Sequence, residues 1–201
     1  MTELTRYRVV GLTGMSGAGK STVSRVFAES GFLVIDCDRV AREVAEPNSP
    51  FLSELSQRFS QQLIKPDGTL DRPKTAALIF GDKEKRSLYN QIIYPYIAYN
   101  IIRKIKAADR DILLDAPTLF ESRLCGICSE IISVCADRER CAERIMKRDS
   151  LSREQALARL SSQHTLGFFR ERSDFCLENN GSEGELYESA KRIIEQLKGN
   201  K

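Results

Sequence analysis

Five short stretches of the chain are nearly unbroken apolar runs, at 8–13, 32–36, 111–115, 130–136 and 174–177. Strands buried on one face alternate, whereas continuous runs suit a parallel sheet covered by helices on both sides. Between them the period changes. Residues 20–30, 40–46, 51–59, 137–149, 152–163 and 183–198 carry apolar side chains three and four apart, the spacing of one helix face. In the first of these Val23, Val26 and Phe27 share a face, and Gly31 supplies a stop. The alternation predicts a three-layer α/β fold.

The spacing of the strands is uneven. The interval between 36 and 111 is too long for one crossover helix. Within it KPDGTLDRPK is rich in turn residues, and 82–108 reads as helix interrupted near Pro95. A helical excursion is therefore expected at about 61–108. A second, at about 137–172, carries two short helices before the last strand.

Composition narrows the class. With 41% hydrophobic and 29% charged residues in 201, the chain fits one soluble domain with excursions. A net charge of +3 is too small to argue for nucleic acid or an anionic membrane. No 18-residue apolar stretch occurs and 1–7 lacks the apolar segment of a signal peptide, so a cytoplasmic protein is expected. Cys125 and Cys128 have metal-knuckle spacing, but no second pair completes four ligands and His164 is the only histidine. Cys135 and Cys176 fall in expected strands, as does Cys37 if the second strand continues past 36, and a reduced thiol there packs as a small hydrophobe.

The first strand runs into GLTGMSGAGKST, in which Gly14, four residues, Gly19, Lys20 and Ser21 form the phosphate-binding loop pattern. Buried phosphate needs several converging donors, and a backbone without β-carbons approaches closely enough for its own N–H groups to serve. The segment Gly14, Met15, Ser16, Gly17, Ala18, Gly19, Lys20, Ser21 and Thr22 is the expected nucleotide cradle. Lys20 would bridge the β- and γ-phosphates of ATP and Ser21 would ligate Mg²⁺. A strand before the loop and a helix after it supply the required context.

Holding a nucleotide does not separate a kinase from a switch. At the end of the second strand, VIDCDRVAR carries Asp36 and Asp38 two residues apart, the strand period. Strand C-termini face the ligand crevice in an open parallel sheet, so Asp38 could orient an acceptor hydroxyl and take its proton. The structural alternative is that Asp38 caps the next helix. Arg140, Arg144 and Arg148 stand four apart on one expected helix, and 138–172 carries nine basic and five acidic side chains. That suits a lid closing over polyphosphate; a solvated, salt-bridged surface is the alternative. Asp115, closing the third strand, is either a magnesium-associated carboxylate or a strand-end cap.

The ordered motifs GLTG…GAGKST, VIDCDRVAREV, DGTLDR, LLDAPTLFE, RIMKRD followed by LSREQALARLSSQ, and NNG resemble those of the dephospho-CoA kinase family over about 8–198. The resemblance implies a P-loop core of five parallel strands, a helical substrate region and a lid. It implies transfer from MgATP to the ribose 3′-hydroxyl of a small molecule, dephospho-CoA. By position, Asp38 looks like the catalytic carboxylate, with Lys20 and Arg144 beside it in catalysis, and Arg42 like a substrate contact. Arg144 and Arg148 look like lid arginines, and Asn180 falls near the adenine. Met15-Ser16 stands where the family usually has Gly-Ile. Tyr94-Pro95 stands where it has His-Pro, so this substrate position cannot carry positive charge at neutral pH. Pro117 to Glu121 departs only mildly.

Two other readings stay open: a P-loop kinase for another nucleoside, nucleotide or sugar hydroxyl, and a nucleotide-dependent switch. The Asn-Lys-x-Asp run that reads guanine in a GTPase is absent from the sequence. The sequence sets no oligomeric state, and a monomer is compatible with it.

Overall fold

The computed structural model describes residues 5–59 and 63–199. Gln61 and Gln62, where the expected 61–108 excursion begins, lie outside the described residues, as does the start of 1–7. Five parallel strands, β1 (Val9–Gly14), β2 (Leu33–Asp36), β3 (Ile112–Asp115), β4 (Glu130–Cys135) and β5 (Phe175–Glu178), form one sheet in the order β2-β3-β1-β4-β5. Each coincides with an apolar run read from the sequence. Every residue of β1 is buried, so both its faces are covered. On one face Val10 and Leu12 join Ile132 and Val134 of β4 in the main core. On the other, a Cβ at Gly11 would stand 2.8 Å from Leu119 and 2.9 Å from the Cys128 sulfur. β1 is in register with both neighbours, Leu12 lying opposite Asp115 and Ile132.

The chain forms two compact units, residues 1–35 with 108–201, and residues 36–107. In the first, α1 (Lys20–Glu29) buries Val23, Val26 and Phe27 against the sheet core, and α9 (Glu183–Gly199) adds Ala190, Ile193, Ile194 and Leu197. α1 stops as the sequence predicts. Gly31 takes φ 94°, and the N–H groups of Gly31 and Phe32 return to Ala28 O and Phe27 O at 3.1 Å each. Three helices rather than two fill 137–172: α6 (Arg138–Asp149), α7 (Arg153–Ser161) and α8 (Leu166–Arg172). The third is short, and Thr165 caps it by accepting from the N–H of Phe168.

The second unit is helical: α2 (Cys37–Val44), α3 (Pro50–Arg58), α4 (Arg72–Phe80) and α5 (Lys83–Lys106). α2 starts three residues before the expected 40, so Asp38 lies in its first turn, not in a strand. Asp36 is the cap, its carboxylate accepting from the N–H of Arg39 at 2.9 Å. Cys37, expected in a strand, is therefore helical. The DGTLDR segment makes a turn and a cap: Asp67 accepts from Thr69 N–H at 2.9 Å, and Asp71 from Lys74 N–H at 3.1 Å.

The interruption expected at Pro95 is absent: α5 runs unbroken through it for 24 residues. A proline removes one main-chain donor, a local loss. Ile92 and Ile93 on one side and Ile101 and Ile105 on the other are buried, anchoring both halves. Lys104 and Arg39 reach Glu43 at 3.0 and 3.2 Å, joining α5 to α2. The hydrogen bond from Lys104 chiefly holds the Glu43 carboxyl below its usual pKa. No described helix is long and apolar enough to cross a membrane.

Candidate active site

The turn from β1 into α1 requires glycine at three points. Gly14, Gly17 and Gly19 have φ of 131°, 76° and 107°, where L side chains are strained. Space is equally restrictive. A Cβ at Gly14 would stand 2.0 Å from Val134 O, at Gly17 2.6 Å from Cys141 O, and at Gly19 2.6 Å from the Asn179 amide nitrogen.

Most carbonyls of this loop are held by donors. Lys20 Nζ donates to Gly14 O at 2.9 Å and Met15 O at 3.0 Å. Arg144 donates to Gly17 O at 3.3 Å, and Asn179 Nδ2 to Ala18 O at 2.7 Å. Gly19 O accepts from Thr22 N–H at 3.1 Å. A trans peptide points its C=O and N–H in opposite directions. Holding the oxygens of Ala18 and Gly19 therefore turns the N–H groups of Gly19 and Lys20 the other way. The N–H of Ser21 joins them in the first turn of α1, where no intrahelical acceptor exists. Successive amides at a helix N-terminus make an anion nest, a donor set that fits the phosphates of ATP.

Arg144 is brought to this nest. Its guanidinium bridges Gly17 O and Asn179 O, both at 3.3 Å. Burial pushes the neighbouring Cys141 thiol up, partly opposed by the charges of Arg144 and Lys20. Arg148, expected beside Arg144, is turned elsewhere. It makes a two-pronged pair with Asp149 at 2.7 and 2.8 Å, and Arg159 reaches the same carboxylate at 2.5 Å. Hydrogen bonding from Arg148, then the charges of both arginines, lowers the Asp149 carboxyl to about 2. Asn180 exchanges hydrogen bonds with Asp137, accepting from its N–H at 2.8 Å and donating to its carboxylate at 3.1 Å.

In the helical unit, Asp38 and Arg42 stand one turn apart on α2, both exposed, and Arg42 lies 3.9 Å from the Asp36 carboxylate. Tyr94 is half-buried on α5 beside Pro95. Asp115 ends β3 opposite Leu12, two residues before Gly14. Among the described residues no group of three His, Cys, Asp or Glu side chains is placed to hold a metal. Cys128 instead donates to Leu124 O at 3.5 Å, and burial raises its thiol to about 12.

Two loop contacts escape sequence reasoning. Gln163 accepts from the Ser16 N–H at 2.9 Å, and Asn179 holds Ala18. Both lie inside quoted motifs, LSSQ and NNG, but only the fold shows that their amides meet the loop.

A parallel sheet of this order, whose first strand passes through a glycine loop into a helix with a lysine folded over that loop, defines a P-loop kinase fold. A solved dephospho-CoA kinase from Campylobacter jejuni shares it, at 25% identity and a TM-score of 0.72 over 96% of this chain and 98% of that one. The chain belongs to the dephospho-CoA kinase family, whose sequence pattern matches residues 8–185. The dephospho-CoA kinase of Carboxydothermus hydrogenoformans is 35% identical over 94% of each chain. A crystal structure from Thermus thermophilus superposes with a TM-score of 0.82 at 30% identity, covering 96% of this chain and 99% of that one.

Proposed function

We propose that this protein transfers the γ-phosphoryl group of ATP to the ribose 3′-hydroxyl of dephospho-CoA, giving coenzyme A and ADP in the cytoplasm. The observation that carries this reading is the glycine loop, with carbonyls tied back by Lys20, Arg144 and Asn179 so that the Gly19 N–H in the same peptide as Ala18 O turns the other way. The 3′-oxygen attacks the γ-phosphorus, the bond from that phosphorus to the β–γ bridging oxygen breaks, and ADP keeps the electron pair.

Asp38 accepts the hydroxyl proton. Its place in the first turn of α2, with Asp36 serving as the cap, supports this role. Arg42, one turn further, contacts the acceptor, as does Tyr94. Lys20 and Arg144 neutralise charge on the transferring group, and residues 137–172 act as the lid that carries Arg144 and Arg148 to it. Asn180 lies by the adenine, and the helical region at about 61–108 contributes to acceptor binding. The Ser21 hydroxyl, an oxygen donor of the kind a hard cation prefers, would hold Mg²⁺, which when bound offsets charge on the terminal phosphates.

The test is ADP release from MgATP with a panel of hydroxyl acceptors and mass analysis of the product. Stimulation by dephospho-CoA with a product heavier by one phosphoryl group is expected. Stimulation only by another acceptor would displace the assignment, and stimulation by none would favour a nucleotide-dependent switch.

A further inference from the structure

We propose that Asn179 is a positioning residue of the phosphate site, acting through the peptide between Ala18 and Gly19. The inference rests on reading the glycine loop as a triphosphate site. Asn179 follows β5 and is buried, with 6% of its surface exposed. Its main chain is tied on both sides: the N–H donates to Cys135 O at 2.7 Å, and the carbonyl accepts from Arg144 at 3.3 Å. Its side chain donates to Ala18 O at 2.7 Å. One residue thus links the end of β4, the loop and the guanidinium that also holds Gly17.

The side-chain contact has a defined polarity. Ala18 O is an acceptor, so only the nitrogen end of the amide can face it. The oxygen end, Oδ1, is buried with no partner among the described residues. A buried acceptor left without a partner costs free energy, which the donor contact to Ala18 O must offset. Gly19 makes room for it, since a Cβ there would stand 2.6 Å from Asn179 Nδ2. With Ala18 O held by the amide, the Gly19 N–H in the same peptide turns away from residue 179. Asn179 therefore fixes a phosphate donor without contacting phosphate.

Asn179→Asp keeps the shape and replaces the donor by an acceptor; Asn179→Ala removes the group and adds no charge. Binding of ATP and of inorganic tripolyphosphate is measured by calorimetry on the full chain, with Ile193→Ala in α9 as a control that loosens buried packing away from the loop. Affinity for both probes should fall at least tenfold in both Asn179 variants, more in Asn179→Asp, while Ile193→Ala lowers Tm and binds normally. Should Asn179→Asp fail to fold, Asn179→Ala decides. Unchanged affinity in a folded Asn179 variant would overturn the proposal, as would an equal loss in Ile193→Ala. A wild-type chain that binds neither probe would instead remove the triphosphate reading beneath it.

Discussion

The ammonium nitrogen of Lys20 lies 2.9 Å from the carbonyl oxygen of Gly14, six residues earlier in the chain. The side chain folds back over the loop that precedes its own helix, so its charge stands where the terminal phosphates are proposed to bind. Replacement by methionine keeps much of the bulk and removes the charge. Lys20→Met is expected to lower kcat/KM by about 10²-fold or more, read by ADP release at varied ATP. A change under threefold would take Lys20 out of the transfer step.

Asp38 leads to a different signature. As proton acceptor it should matter to turnover and hardly to nucleotide binding. Asp38→Asn is expected to depress kcat by about 10²-fold or more, with ATP affinity within twofold by calorimetry. Because Asp36 caps α2, the variant should melt near the wild-type temperature.

The two arginines of the proposed lid should not be equivalent. Arg144 already lies on the loop, whereas Arg148 is engaged by Asp149. Arg144→Ala is expected to cost about tenfold to a hundredfold more in kcat than Arg148→Ala, and comparison at saturating substrates checks the order. Equal losses would mean that the Arg148–Asp149 pair opens fully when nucleotide binds.

Asp149 makes acid stability testable. Its carboxyl is lowered from 3.8 to about 2, first by hydrogen bonding from Arg148 and then by charge from Arg148 and Arg159. A depressed folded-state pKa contributes stability that is present above the unfolded value and lost as pH falls through the folded one. The contribution should therefore disappear between about pH 4 and pH 2. Asp149→Asn should have a flatter Tm against pH over that window than wild type, and parallel curves would refute the coupling.

The sheet was legible because burial on both faces leaves short apolar runs bounded by turn residues, and β1 is buried at all six positions. The loop was legible because close approach by Val134 and Cys141 admits only glycine. Local competition hid other features. Asp36 both ends β2 and caps α2, so the strand stops there and Asp38 falls in the helix. Pro95 signals an end only where burial does not anchor both flanks, and Ile92, Ile93, Ile101 and Ile105 do so here. The contacts of Gln163 and Asn179 with the loop depend on distant segments meeting, which no window of sequence records.

The sulfur of Cys128 sits where a side chain on Gly11 would have to go, within a sheet that leaves it little room. Its suppressed ionisation should make this thiol slow toward alkylating reagents at neutral pH. The thiol thus works as filling rather than as a nucleophile: it takes up the volume that the missing β-carbon of Gly11 leaves over the central strand, and a larger group at either position would press on the other.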